Sequence, residues 1–236
     1  MLGTSLMQAL YSMVNLKNLS LTFDACGDLM TDHPLADLGM LDDHSVAIES
    51  LRIEFANQTP YKVIGRLYDS LSFLSPSSVD ITMEKLFNDE KYPLDRFFFR
   101  NKDHIFPHGS TIRIHVSGMR KTLDSQTSGG LLTELVEGCQ IAHTIHLEVP
   151  DVSLIRLQST NWSHFSSLRH LRFKGCDNLT EPEVDELVRN LMCGNAEGMG
   201  LQSLEIFSCE KISEEFLVEL GDNVGPKLTW KMCDCE

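Results

Sequence analysis

The chain has 236 residues, 42% of them apolar, and a formal net charge of −14. The apolar share is enough to bury a core, which excludes wholesale disorder. The acidic balance argues against nucleic acid or an anionic membrane as a general partner, since both require a basic footprint.

No apolar run approaches the ~18–20 residues of a membrane span. The opening "MLGTSLMQALYSMVNLKNLSL" lacks the basic start and small-residue cleavage site of a signal peptide. Seven cysteines is an odd count for a disulfide framework, so reduced thiols and an intracellular location are expected. In that setting the Asn-x-Ser/Thr matches at Asn18, Asn57, Asn161 and Asn178 are chance.

In chain order, "TSLMQALYSM" reads as a helix. "NLKNLSLTF" follows as a short strand with Leu19 and Leu21 on one side and the earlier Leu16 entering the same core. Residues 24–45 are a poor helix or a long loop, broken by Pro34. "IESLRIEF" repeats the strand pattern with Ile48, Leu51 and Ile53, and "PYKVIGRLYDSLSFL" is a second helix. Looser strand copies are "SSVDITM", with Val79 and Ile81, and "STIRIHV", with Ile112 and Ile114. Between them, residues 84–108 are irregular and carry Pro93 and Pro107. "TSGGLLTELVEG" is a helix entered through the glycines at 129 and 130, and "HTIHLEV" gives Ile145 and Leu147.

The last third is the most regular. "SLRHLRFKGC" places Leu168, Leu171, Phe173 and Cys176. "LQSLEIFSC" places Leu201, Leu204, Ile206 and Cys209, and "KLTWKMC" gives Leu228, Trp230 and Cys233. The helix in "TEPEVDELVRNLMCG" has a capping box from Thr180 and Glu183, with Pro182 in the first turn. Val184, Leu187, Val188 and Leu191 form its apolar face, and Gly194 is its stop. "SEEFLVELG" follows the same plan, with Ser213 as cap, Phe216, Leu217 and Leu220 inward, and Gly221 as stop.

About eight copies therefore recur at intervals of roughly 24 to 33 residues, the range of a leucine-rich solenoid. Residues two apart in a strand face the same side, so each copy turns its apolar pair inward. A single copy cannot cover that face, whereas stacked copies share one core. Parallel strands also require a crossover, usually helical. Cys176, Cys209 and Cys233 share one offset behind their strands. Repeat stacking spaces them along a column and does not gather them round an ion, so the expectation is packing in a buried turn. Cys26 joins the column if the first strand is shifted by two.

"LRHLRFKGCDNLTEPEV" and "LQSLEIFSCEKISEEFL" resemble the cysteine-containing leucine-rich repeats of the ribonuclease-inhibitor-like solenoids found in F-box proteins. The resemblance is good over about residues 165–233 and fair over 1–60. It implies an α/β leucine-rich-repeat solenoid over residues 1–236, with a parallel sheet lining the concave side and helices and loops on the convex side. It further implies a non-enzymatic protein-binding scaffold, which in F-box members presents substrates to a ubiquitin ligase. No F-box motif is seen ahead of the first repeat. The alternative is a structural subunit packed on a larger complex.

The residues between the inward positions are expected on the exposed strand face. Arg52, Arg113, His146, Arg172 and Lys174 make that face mildly basic within an acidic chain. An acidic or phosphorylated protein segment is the ligand this suggests. Phe207 is an exposed aromatic there and a candidate anchor.

No cofactor or metal is expected. His143 and His146 stand three apart, a helical metal spacing that a strand would split across its two faces. Cys233 and Cys235 end the chain without further ligands nearby. His104 and His108 flank a loop. Asp42–Asp43 and Glu214–Glu215 read as a solvated loop and a helix first turn. A third reading, set behind the scaffold and the structural subunit, is an enzyme with an unrecognised site in residues 84–110.

Overall fold

The structure is a computed structural model. It describes residues 9–10, 13, 15–25, 46–57, 59, 61–71, 73–85, 99–101, 104–105, 109–118, 130–157, 160–192 and 200–232. Its strands are β1 (Asn18–Asp24), β2 (Val46–Ala56), β3 (Leu74–Glu84), β4 (Phe99–Asn101), β5 (His104–Ile105), β6 (Thr111–Ser117), β7 (Thr144–Glu148), β8 (His170–Lys174), β9 (Ser203–Phe207) and β10 (Leu228–Lys231). The helices are α1 (Tyr61–Leu71), α2 (Leu131–Gly138), α3 (Glu181–Leu191) and α4 (Glu214–Val224).

Eight strands form one all-parallel sheet in the order β1-β2-β3-β6-β7-β8-β9-β10. Apart from the β4–β5 pair, strand order is chain order, and helices lie between strands. This is an α/β arrangement that fits a solenoid.

The register puts like residues in rows. Leu51, Val79, Ile112, Ile145, Leu171, Leu204 and Leu228 follow one another across the sheet, all buried. Ile53, Ile81, Ile114, Leu147, Phe173 and Ile206 form a second buried row. At the sheet ends, Leu19, Leu21 and Trp230 are half-buried. In the eight strands of this sheet the residues between those rows are exposed or half-exposed, so the sheet has one dry face and one wet face. Burying an aliphatic side chain stabilises by about 1.5–3 kcal/mol, so the two rows and the helices over them supply most of the drive to fold.

The helices close the dry face. In α1, Val63, Ile64, Leu67, Tyr68 and Leu71 are buried. In α3, Val184, Leu187, Val188 and Leu191 face the core as their spacing predicts. Its start is tied by Glu183, whose Oε2 accepts from the Thr180 backbone N–H and hydroxyl, both at 2.8 Å. The helix ends at Leu191, and Gly194 lies outside the described residues.

In α4 the Ser213 hydroxyl accepts from the Phe216 N–H at 3.3 Å, as expected of a cap. Gly221 is not the stop: the helix continues to Val224 and ends at Gly225, whose φ is 66°. Gly221 instead admits the Trp230 ring, which a β-carbon would meet at 3.2 Å.

Two crossovers depart from expectation. Phe99–Asn101 and His104–Ile105 contribute a short antiparallel pair, β4 with β5, in a segment read from sequence as irregular. The connection from β7 to β8 is not an α-helix; it runs through Val152, Leu154 and Ile155, all buried, into a 3-10 turn at Trp162–Ser167. The carbonyls of Ser153 and Leu154 accept from the N–H groups of Leu131 and Leu132 at 3.0 and 2.9 Å, satisfying the open N-terminus of α2. The approach is so close that a β-carbon on Gly130 would lie 2.4 Å from Leu154 O, which explains the glycine there.

Candidate functional site

The wet face is built by the same register that builds the core. Its central row runs Ser20, Arg52, Asp80, Arg113, His146, Arg172, Glu205, Thr229. Beside it, Thr22, Glu54, Thr82, His115 and Glu148 are in register, and further along Lys174, Phe207 and Lys231. All six residues singled out from sequence lie on this face. Arg52, Arg113 and Lys174 are exposed, and His146, Arg172 and Phe207 are half-buried.

The structure adds partners that spacing alone did not reveal. Arg172 Nε stands 3.6 Å from Glu205 Oε2. The same guanidinium lies over the Phe207 ring, 4.8 Å from its centroid. Phe207 is thus covered by a cation of its own chain, and the pair is a cation–π contact. Lys174 Nζ reaches Glu148 Oε1 at 3.0 Å, and His115 Nδ1 reaches the other oxygen of Glu148 at 3.3 Å. Arg113 Nη1 donates to Ser78 Oγ at 3.3 Å. His170 Nδ1 and Ser203 Oγ are 2.9 Å apart.

Exposed ion pairs of this kind contribute only ~0–1 kcal/mol each, so they orient side chains more than they hold the fold. Arg52 and Arg113 both lie in register with Asp80. The basic residues are therefore interleaved with acids at Asp80, Glu148 and Glu205, and the face is more nearly neutral than a list of its basic residues suggests. The stretch Arg113–His146–Arg172 is the exception: three nitrogen-bearing side chains follow one another without an intervening acid in the row. His146 is held below its ordinary value of 6.5, first by burial and then by Arg113 and Arg172. It is the neutral member of the three near pH 7.

The other sequence candidates separate. Cys176 and Cys209 are free and buried in the core. Cys176 Sγ donates to Leu147 O at 3.4 Å, and Cys209 Sγ to Phe207 O at 3.5 Å. The Cys176 thiol is pushed up by its hydrogen bond with Cys209 and then by burial, which disfavours the thiolate that nucleophilic or metal chemistry needs. Cys139 is a third buried thiol, with Sγ 3.6 Å from Gly109 O. It stands just past α2, outside the offset behind the strands, so the repeat pattern does not find it.

His143 precedes β7 and is exposed, whereas His146 lies within the strand. Glu214 and Glu215 occupy the first turn of α4. Cys26, Asp42, Asp43, His108, Cys233 and Cys235 lie outside the described residues, as does most of 84–110. Among the described residues, no group of three or more His, Cys, Asp and Glu is placed to hold a metal ion. No described helix is long and apolar enough to cross a membrane. Comparison with protein-family models, with curated proteins and with solved structures finds no match to this chain.

Proposed function

We propose that the chain is a single leucine-rich-repeat solenoid domain acting as a non-enzymatic, intracellular protein-binding scaffold, and that it serves as the substrate-recognition part of an F-box-type ubiquitin-ligase adaptor. The observation that carries the scaffold reading is the wet sheet face: eight strands in unbroken register present solvent-facing rows of mixed charge and small hydroxyls. A broad surface of this kind suits a polypeptide better than a small molecule, which prefers a concave apolar cleft. The ligase link rests on the two repeat segments "LRHLRFKGCDNLTEPEV" and "LQSLEIFSCEKISEEFL". The buried free thiols Cys139, Cys176 and Cys209 fit a reducing compartment.

The test is affinity purification with mass spectrometry, comparing the full chain with a face-blocked variant, Thr82→Trp with Thr229→Trp. A helical-side variant, Glu215→Trp with Glu219→Trp, is the control. The expected result is a partner set that includes ligase components, is lost on blocking the face and is kept in the control. Partners that ignore the face block overturn the scaffold reading in favour of a structural subunit held by another surface. Partners that obey it but include no ligase component overturn the adaptor assignment alone.

A further inference from the structure

Every strand of the parallel sheet addresses its two neighbours in the same way. Backbone N–H groups in step with the core rows donate forward along the sheet, as Ala25 to Ala56 O, Gly175 to Phe207 O and Ser208 to Lys231 O. Those in step with the wet rows donate back, as Ser50 to Lys17 O, Thr144 to Ser110 O and Ser203 to Arg169 O. The outer edge of β1 therefore turns the backbone groups of Asn18, Ser20 and Thr22 away from the sheet. The outer edge of β10 turns away both backbone groups of Trp230 and the carbonyl of Leu228, whose N–H is taken by Gly225 O. Among the described residues, no strand meets either edge.

We propose that copies of this chain join head to tail, the outer edge of β10 in one copy lying parallel to the outer edge of β1 in the next. This goes beyond the scaffold reading and holds whether or not the wet face binds another protein. The register already used across the sheet sets Leu228 beside Leu19 of the next copy and Trp230 beside its Leu21. The Trp230 N–H then donates to Ser20 O of that copy. In return its Ser20 N–H donates to Leu228 O and its Thr22 N–H to Trp230 O. Each bond repeats one made between neighbouring strands inside the chain.

The side chains agree on both faces. Leu19, Leu21 and Phe23 are only half-buried, whereas Leu51, Ile53 and Phe55 beside them are fully covered. Trp230 and Met232 are half-buried at the opposite end. One contact of this kind covers the uncapped apolar end of each copy. On the wet rows, β1 to β3 carry four acids, Asp24, Glu54, Asp80 and Glu84, against one base, Arg52. The rows of β8 to β10 carry three bases, Arg172, Lys174 and Lys231, against one acid, Glu205. Head-to-tail stacking brings the basic end beside the acidic one. A two-fold dimer through either edge would instead set like charges together, so charge selects the second copy's opposite end as the occupant. The β1 edge also lacks the devices that discourage strand addition. It runs for seven residues without a proline, and its only charge is Asp24 at the last position.

The experiment is sedimentation equilibrium of the full chain, in low salt and with reductant, against two variants that each block one end. Ser20→Pro removes the outward N–H of β1 and places a ring in the path of Leu228 O, while leaving every bond from β1 to β2 intact. Met232→Asp puts a charge on the apolar end at β10. Circular dichroism melts establish that each variant is folded. The expected result is a weight-average mass that rises from one copy toward two or more between roughly 1 and 100 µM, the range of a small interface. About 0.5 M sodium chloride should weaken the association several-fold. Each variant alone should remain a single copy. An equimolar mixture of the two should form a one-to-one dimer, because each retains the end that the other lacks. A wild-type mass that stays at one copy overturns the proposal. So does association that survives either block, which belongs to another surface. Variants that fail to pair on mixing overturn the head-to-tail arrangement.

Discussion

The sheet changes depth along its length. In β1, β2, β3 and β6 a third apolar residue follows the two rows inward: Phe23, Phe55, Met83 and Val116, in register with one another. In β8 and β9 only two point in, and the strand ends two residues sooner. There the next buried side chain is a thiol, Cys176 or Cys209. Both regions leave the strand through a residue of positive φ: Ala25, Asn57, Lys85 and Gly118 in the first, Gly175 and Ser208 in the second. In four of these the N–H donates to the carbonyl that ends the following strand: Ala25 to Ala56, Lys85 to Ser117, Gly175 to Phe207 and Ser208 to Lys231. The turn is thus constant, and what varies is how far the strand runs before reaching it. Large side chains fill the longer strand's extra layer; small, weakly donating thiols close the shorter one.

If that contrast is physical, the two regions respond differently to truncation. Phe55 is fully buried, stacked on Phe23 at 5.6 Å and edge-on to Tyr68 at 6.2 Å. Phe55→Ala is expected to cost about 4 kcal/mol by urea denaturation, through lost transfer energy and the cavity left behind. Cys176→Ala removes one sulfur and its weak hydrogen bonds to Leu147 O and Cys209 and is expected to cost about 1–2 kcal/mol. Equal losses would mean that the thiols are not simply closing a shallower layer.

The positive-φ turns give a finer comparison. Gly175 has open space around its missing β-carbon, so Gly175→Ala meets only the backbone penalty of a left-handed conformation, about 1–2 kcal/mol. Lys85 sits at φ 49° and Ser208 at φ 52° without that freedom. Lys85→Gly and Ser208→Gly should each stabilise by about 0.5–1 kcal/mol, since relief of strain outweighs the added freedom of the unfolded chain. A loss at either position would show that its side chain contributes more than its backbone costs.

Much of this architecture was legible because period two leaves a strong trace. Leu168, Leu171 and Phe173 and Leu201, Leu204 and Ile206 can occupy those spacings on one dry face only as stacked strands, and register followed from aligning the copies. The wet-face residues came with it, being the positions left over. The partners were not legible. Nothing in the spacing of Arg172 says that its guanidinium turns forward to Glu205 and Phe207, 33 and 35 residues on in sequence but one strand away. Nor does composition reveal that Glu148 serves His115 and Lys174 together. Gly221 was misread because a glycine near a helix end suits a stop, and only the Trp230 ring packed against it gives the other reason. The β7–β8 connection lacks periodicity, so its capping of α2 could not be anticipated.

The smallest effect belongs to the region of short strands, where successive repeats are joined at their helix starts. Glu181 in the first turn of α3 accepts through Oε1 from the N–H and hydroxyl of Ser213, the cap of α4, at 3.0 and 2.6 Å. Those bonds favour the carboxylate and hold Glu181 below its ordinary value of 4.5. A depressed acid adds stability that is complete above its unfolded value and disappears as pH falls through the folded one. Glu181→Gln should therefore lower the melting temperature slightly at pH 7 and leave it unchanged well below the carboxylate range. Because the group is solvent-exposed, the difference should also shrink with added salt. A loss that persists in acid would assign Glu181 a packing role, and would mean that the repeats are joined there by shape and not by the charge-assisted bonds to Ser213.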